Sequence, residues 1–409
     1  MEDRVQCAIA GGGPAGMMLG VLLARAGVSV VVLEKHADFL RDFRGDTIHP
    51  STLEIMYELG WLDEFLKLPH QKVEHLTGQV GVTPVAIADF THLPVHSRFL
   101  ALMPQWDFLN FLARKGKEYP GFRLEMQTEA IDLVQEGDRV TGVRARQRNG
   151  GGEKEYAADL VVAADGRGSV LRERAGLKVK DLGAPMDAIW FRLPWKEGDS
   201  DQTMGRFGAG YLLAMLNRGD YWQCAYVIRK GSFAGLKESG IERFRDLVRA
   251  AAPFEPERLD AIRTWDDVSL LTVRVDRLEQ WSKPGFLAIG DAAHAMSPVG
   301  GVGVNLAVQD AVAAANILAT PLRQHEVTDG ALEAVERRRL WPTRVTQALQ
   351  VAVQNRVIGP NLDSTAAPEP PALLRLMQRF PVLQRIPARI VGLGVRREHV
   401  APVIRDGKG

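Results

Sequence analysis

The run Gly11-Gly12-Gly13-Pro14-Ala15-Gly16 constrains this chain more than any other segment. Residues 5–10 before it are apolar and predict a short buried strand. After it, Ala15, Met18, Leu19, Leu22, Leu23 and Ala26 recur at the helical period, predicting a helix over 14–26. Pro14 suits the first turn of that helix and Gly27 the position just past its end. Residues 29–34 are rich in β-branched side chains and predict a second strand, completing a βαβ unit with strands buried on both faces. In the turn, Gly11 allows the tight bend, Gly13 lets the backbone approach a pyrophosphate, and Gly16 lets helix and strand pack closely. The helix N-terminus offers N–H groups and a positive dipole end to phosphates. Glu34, eighteen residues after Gly16, ends the second strand with Lys35 beside it. A carboxylate there can accept hydrogen bonds from both adenosine ribose hydroxyls and repels a 2′-phosphate. The fixed nucleotide is therefore expected to be FAD or NAD(H), and this motif does not separate the two.

A second motif separates them. Residues 286–294 (Phe-Leu-Ala-Ile-Gly-Asp-Ala-Ala-His) read as a buried strand ending in a turn, with Asp291 projecting where it could bond a ribityl hydroxyl, which FAD has and NAD lacks. The loop that follows, Pro298-Val299-Gly300-Gly301-Val302-Gly303-Val304-Asn305, opens a long Ala-rich helix. Its glycines let backbone N–H groups reach a flat ring's carbonyl, and the helix dipole favours the negative charge of a reduced flavin. A third station, residues 160–172, is a strand ending in Asp165-Gly166 and a helix that Ser169 could cap.

The 409 residues are 46% hydrophobic and 25% charged, with a formal net charge of +1 and no basic or acidic block, so nothing asks for nucleic acid. That length predicts two lobes plus an appendage. The two cysteines, Cys7 and Cys224, lie in strand-like runs and are expected to be buried free thiols. The N-terminus lacks the pattern of a signal peptide and no run reaches about 18 consecutive apolar residues, so a cytoplasmic protein is expected. A helix broken at Gly60 is expected over 44–66, and another over 106–117. Strand-like runs at 188–193, 204–216, 221–228 and 266–275, with a helix near 241–251, predict a separate sheet. The expected division assigns 1–72, 97–182 and 276–329 to nucleotide binding and 73–96 with 183–275 to the substrate. Residues 330–409 form a helical C-terminal segment with a break at 360–371.

Together the three stations resemble the aromatic-hydroxylase flavoproteins, the p-hydroxybenzoate hydroxylase-like class A monooxygenases. The resemblance is carried by GGGPAG at 11–16, DGRGSVLR at 165–172, and GDAAH with PVGGVGVN within 290–305, and it spans roughly 4–320. It implies an α/β fold: a glutathione-reductase-type Rossmann FAD domain interleaved with a β-sheet substrate domain. By that resemblance Gly11, Gly13, Gly16 and Glu34 bind the ADP half of FAD, while Arg44 and Gln105 contact the pyrophosphate and ribityl region. Asp291 meets pyrophosphate or ribityl, Gly300, Gly301, Gly303, Val304 and Asn305 surround the isoalloxazine, and Asp165 has a mostly structural role. The chemistry implied is monooxygenation: NADH or NADPH reduces the flavin transiently from the surface, O₂ adds to give a C4a-hydroperoxide, and one oxygen passes to an electron-rich small molecule. No catalytic side chain and no metal are expected, and His294 is expected to pack within its turn.

The family's simple hydroxylases grip a substrate carboxylate with Ser, Arg and Tyr on a strand pair. Laid on residues 210–227, those positions are Met215, Asn217 and Ala225, so a neutral aromatic or lipophilic substrate is expected, with Pro298 as a further candidate contact. Val302 stands where the family commonly carries Gln or a basic residue. Two related chemistries stay open: an FAD-dependent reductase of the geranylgeranyl-reductase type, and a flavin halogenase, whose WxWxIP signature is missing. The arginine-rich amphipathic stretch 372–404 suits either packing on the enzyme or contact with a membrane surface. The protein is expected to be a monomer or homodimer.

Overall fold

A computed structural model describes residues 3–40, 47–199 and 203–407. The expected cofactor contact Arg44 lies outside the described residues. The first sheet is built on five parallel strands. Asp3–Ala10 lies between Val30–Leu33 and Glu153–Ala163, with Phe122–Glu125 beyond the former and Phe286–Ala288 beyond the latter. The register sets Leu33, Ala10, Ala163 and Ala288 side by side. All three motifs therefore leave the sheet at one level, at the carboxyl ends of parallel strands, where open α/β sheets bind ligands. Two antiparallel strands, Thr128–Glu136 and Arg139–Gln147, extend this sheet from Glu153–Ala163.

Helices Pro14–Arg25 and Gly303–Arg323 pack against each other over this sheet. Gly303–Arg323 has the length and composition of a membrane span. It is nonetheless buried on nearly every side, and all-round apolarity fits a core helix equally well.

The second sheet has seven strands in the order Val268–Leu271, Met186–Pro194, Tyr221–Arg229, Tyr211–Asn217, Met204–Gly208, His75–Val80 and Thr83–Asp89. The run 204–216, expected as one strand, is a hairpin because Gly210 turns the chain at φ +75°. Helix Ile241–Ala251 covers one face, its Phe244 and Val248 packing on Phe191, Leu213, Met215, Trp222 and Cys224. At the free edge, the side-chain amide of Gln378 bonds both the N–H (3.2 Å) and the carbonyl (2.8 Å) of Ala86.

Two helix boundaries differ from expectation. In 44–66 the helix begins only at Pro50, after the short strand Thr47–Ile48, because Pro50 has no N–H to give and fits a first turn. In the C-terminal segment, helix Asp329–Val353 runs through a π-helical turn, Gln354–Ile358, into Gly359–Asp363. Pro360 sits in the first turn of that last piece, where a missing N–H costs little, so the irregular chain starts at 364 rather than 360.

Candidate flavin and substrate site

The sheet register gathers the nucleotide motif. The Gly11 N–H donates to the Leu33 carbonyl (2.8 Å) and the Ala164 N–H to the Ala10 carbonyl (2.8 Å). Gly11 has φ +102°, and a Cβ there would stand 2.3 Å from the Ala164 carbonyl oxygen. At Gly16 a Cβ would stand 2.0 Å from the Gly11 oxygen, so helix and strand touch as the motif requires. Gly13 differs: no heavy atom lies within 4 Å of where its Cβ would be, which leaves the helix N-terminus open to a phosphate. Glu34 is buried, its carboxylate oriented by the N–H groups of Gly12 and His36, both at 2.9 Å. Lys35 is exposed beside it. Gln105 opens helix Gln105–Gly116 and is half-buried.

Asp165 is tied into its own strand-to-helix turn. One carboxylate oxygen accepts from the Val170 N–H (3.0 Å), and Ser169 caps the same helix through the Arg172 N–H (3.1 Å). Burial pushes the Asp165 carboxyl above the ordinary range, opposed by these hydrogen bonds. Arg172 then ties this station to the next: its guanidinium donates to the carbonyls of Ala292 (3.2 Å) and Arg167 (2.7 Å). Asp291 is half-buried in the short turn Gly290–Ala292 beyond Phe286–Ala288.

The ring loop carries two consecutive glycines at positive φ, Gly300 at +79° and Gly301 at +62°. Gly303 has open space where a Cβ would be. Asn305, expected against the ring, has its side chain tied elsewhere: its Oδ1 accepts from Ser51 (2.7 Å) and Thr52 (2.9 Å). Val304 is buried in the main core, and Val302 packs with Met296 and Leu306, so the loop spends its apolar residues on anchoring.

Several residues around this loop escaped sequence reasoning. Helix Asp329–Val353 and its continuation present three glutamines to residues 295–299. Gln347 donates to Ala295, Gln350 to Ser297 and Val299, and Gln354 to the Ser297 hydroxyl. His49, fully buried, contacts the carbonyl of Gly301 at 2.9 Å and that of Val391 at 2.7 Å. Burial lowers its readiness to take a proton, against the pull of the two carbonyls. A period of three to four in the glutamines was the available signal, but nothing local says what they face. His294 is bonded through Nε2 to the buried Asp310 (2.6 Å) and lies against Trp281, which fits a structural tie.

On the second sheet the expected substrate contacts do not converge. Met215 pairs with Cys224 and points under helix Ile241–Ala251, and Asn217, on the same face two residues on, bonds the Gly219 N–H at 2.7 Å. Ala225 pairs with Ala214 and lies on the opposite face. Residue alternation makes a one-residue error in frame exchange the two faces. The face turned to the ring loop carries Leu212, Ala214, Ala225, Val227 and Trp190; Leu212 and Val227 pack with Val299, Ile358 and Leu362. Pro298, next to Val299, is half-buried at this junction.

These residues fit FAD: an open phosphate cradle at Gly13, an oriented acid at Glu34 for a ribose, and a glycine loop opening a helix before an apolar wall. The family model for the FAD binding domain matches residues 4–349. Over 388 residues the chain is 31% identical to 6-methylpretetramide 4-monooxygenase of Streptomyces rimosus, across 93% of this chain and 91% of that one. The chain belongs to the class A flavoprotein monooxygenases. Among solved structures, this monooxygenase is similar to PqsL, a probable FAD-dependent monooxygenase from Pseudomonas aeruginosa (TM-score 0.74, 19% identity, 88% of this chain and 99% of that one). It is also similar to the flavin-dependent halogenase CmlS (TM-score 0.75, 21% identity, 97% and 74%). At those identities the likeness is one of fold, which halogenation and oxygenation share. The separation between them comes from the Streptomyces relative.

Proposed function

We propose that this FAD-dependent monooxygenase takes its electrons from NADH or NADPH and hydroxylates a neutral, largely apolar aromatic molecule bound between the ring loop and the Leu212–Ala214–Ala225–Val227 face. The observation that carries the substrate class is that face itself: its central positions are aliphatic, with Trp190 alongside, and the cations on the same face, Arg192 and Arg218, lie at its Tyr221 end, Arg192 over the Tyr221 ring and Arg218 bonded to Gln223. The Met215–Asn217–Ala225 frame gave the same class, but its reason changes, since two of the three residues face the other way. Bound FAD supplies the redox and oxygen-activating chemistry. The chain's part is to bind and orient: Glu34 and the Gly13 turn hold the nucleotide half, the 298–303 loop meets the ring, and the apolar wall excludes water from the reacting edge.

The test is a ligand screen scored by acceleration of flavin reduction with each nicotinamide, followed by mass analysis for a gain of one oxygen. Neutral polycyclic phenols or ketones are expected to stimulate NAD(P)H oxidation coupled to O₂ uptake. Preferred turnover of p-hydroxybenzoate would overturn the substrate class, and nicotinamide oxidation with reduced product and no oxygen incorporated would favour the reductase reading.

We also propose a cytoplasmic enzyme whose C-terminal helices can rest on an anionic bilayer. Leu373, Leu376, Phe380, Val382, Ile386 and Ile390 are exposed, and residues 370–397 contain six arginines and no acid. Two such faces would repel each other, which disfavours a homodimer through this surface. Flotation with anionic vesicles is expected to carry the enzyme and to fail for the double variant Leu376→Asp, Ile386→Asp. Equal flotation of both proteins, or none by either, overturns the contact.

A further inference from the structure

The ring loop is held by its carbonyls. Gln350 donates its amide to the carbonyls of Ser297 (2.9 Å) and Val299 (2.8 Å), and its own oxygen accepts from the Ser297 N–H (3.2 Å). These three contacts fix which end of the amide is which. The Nε2 of His49 meets the Gly301 carbonyl at 2.9 Å, while Nδ1 meets the Val391 carbonyl at 2.7 Å; a neutral ring donates to one of the two, and the Nε2–H tautomer is the one that holds Gly301. Both holding residues are buried and come from elements distant in sequence, His49 from the cap of helix Pro50–Glu58 and Gln350 from helix Asp329–Val353.

A trans peptide is planar, so the N–H of each residue points opposite to the carbonyl before it. With the Val299 carbonyl directed at Gln350, the Gly300 N–H is directed away from it. With the Gly301 carbonyl directed at His49, the Val302 N–H is directed away from that side chain. Two adjacent glycines at positive φ could adopt other peptide orientations at little cost, because glycine has no Cβ to select one. The backbone alone therefore does not fix these N–H directions, and the two buried side chains do.

We propose that His49 and Gln350 are positioning residues of the flavin-ring site, setting the Val299–Gly300 and Gly301–Val302 peptides so that the Gly300 and Val302 N–H groups are presented to the ring. This rests on the reading that the ring lies against this loop. Preorganised N–H donors favour the state in which negative charge has developed on the group they face. The two side chains thereby raise the tendency of the bound cofactor to be reduced, without touching it.

The experiment compares wild type with His49→Leu, Gln350→Leu and the conservative His49→Gln, all FAD-loaded, by visible absorption and by redox titration. His49→Leu and Gln350→Leu are each expected to lower the equilibrium constant for two-electron reduction roughly ten- to hundredfold, the worth of one hydrogen bond to a charged group. That corresponds to about 30–60 mV. His49→Gln, which can still donate to the Gly301 carbonyl, is expected to recover at least half of that shift. FAD stoichiometry should stay at the wild-type value, since the ADP half holds the cofactor. Unchanged potentials and spectra in the two leucine variants overturn the positioning role and leave the FAD reading standing. A wild-type protein that binds no FAD overturns both. Should one leucine variant fold poorly, amide exchange of the other as apo protein decides: faster exchange over 297–303 than wild type supports the clamp, and equal exchange opposes it.

Discussion

Gly11 and Gly13 sit two residues apart in one motif, yet the structure assigns them different sensitivities. At Gly11 a methyl group meets the Ala164 carbonyl at 2.3 Å and the backbone has φ +102°, so Gly11→Ala is expected to destabilise the apo protein, visible as a lower melting temperature before any cofactor is added. At Gly13 the methyl meets nothing within 4 Å, so Gly13→Ala should melt like wild type without FAD and lose much of the stabilisation FAD confers. Elsewhere, Asp199 accepts two hydrogen bonds from Arg258, one at 2.7 Å, and one from Trp222 at 2.9 Å. The Arg258 guanidinium beside it holds its carboxyl down to about 2. Its unfolded value is about 3.9. A depressed carboxyl contributes stability that is present above the unfolded value and is lost as pH falls toward 2. Melting curves from pH 5 to 2 should therefore fall less steeply for Asp199→Asn, from a lower plateau at pH 5. At this scale the sequence was most legible where a motif dictates backbone geometry, as at Gly11, Gly16 and Glu34. It was least legible at His49 and Gln350, whose partners are carbonyls that any residue could supply.

At the scale of elements, the parallel core was readable because its strands are continuous apolar runs bounded by motif turns. The second sheet was readable as strands, but not in phase. Both faces of Tyr211–Asn217 and Tyr221–Arg229 are apolar, one packing under helix Ile241–Ala251 and the other facing the ring loop, so alternation gives no polar side to fix the frame. The structure's frame makes opposite forecasts for neighbouring residues. Met215→Ala should cost about 2–5 kcal/mol of stability in denaturant titrations and leave KM for substrate nearly unchanged. Ala225→Arg should disturb substrate binding more than the substitution at 215 does, raising KM for a neutral substrate tenfold or more. The reverse ranking in KM would show that the substrate lies on the other face.

For the whole molecule, the C-terminal third is part of the framework of the cofactor site. Asp310, in the long helix after the ring loop, accepts from the Gly290 N–H (3.1 Å), from His294 (2.6 Å) and from Arg339 (2.8 Å). Arg339 also reaches Glu398 (3.2 Å), which is clasped in turn by Arg338. Burial alone would raise the Asp310 carboxyl, but His294 and Arg339 hold it below its ordinary value. Removing one partner leaves a buried charge unpaired, so Arg339→Met should lose about 3–5 kcal/mol in equilibrium unfolding, and truncation at 371 should yield no folded enzyme. None of this was visible as a motif, because a salt-bridge network joining residues 294 to 398 has no sequence period. The grip of Gln378 on Ala86 has a different kind of consequence. That single amide offers the last strand of the sheet a donor and an acceptor at the spacing of a neighbouring backbone, so the strand ends against a side chain instead of against water. An edge left open can recruit a strand from another molecule. Gln378 thus bears on how concentrated this enzyme can become before its copies begin to join edge to edge.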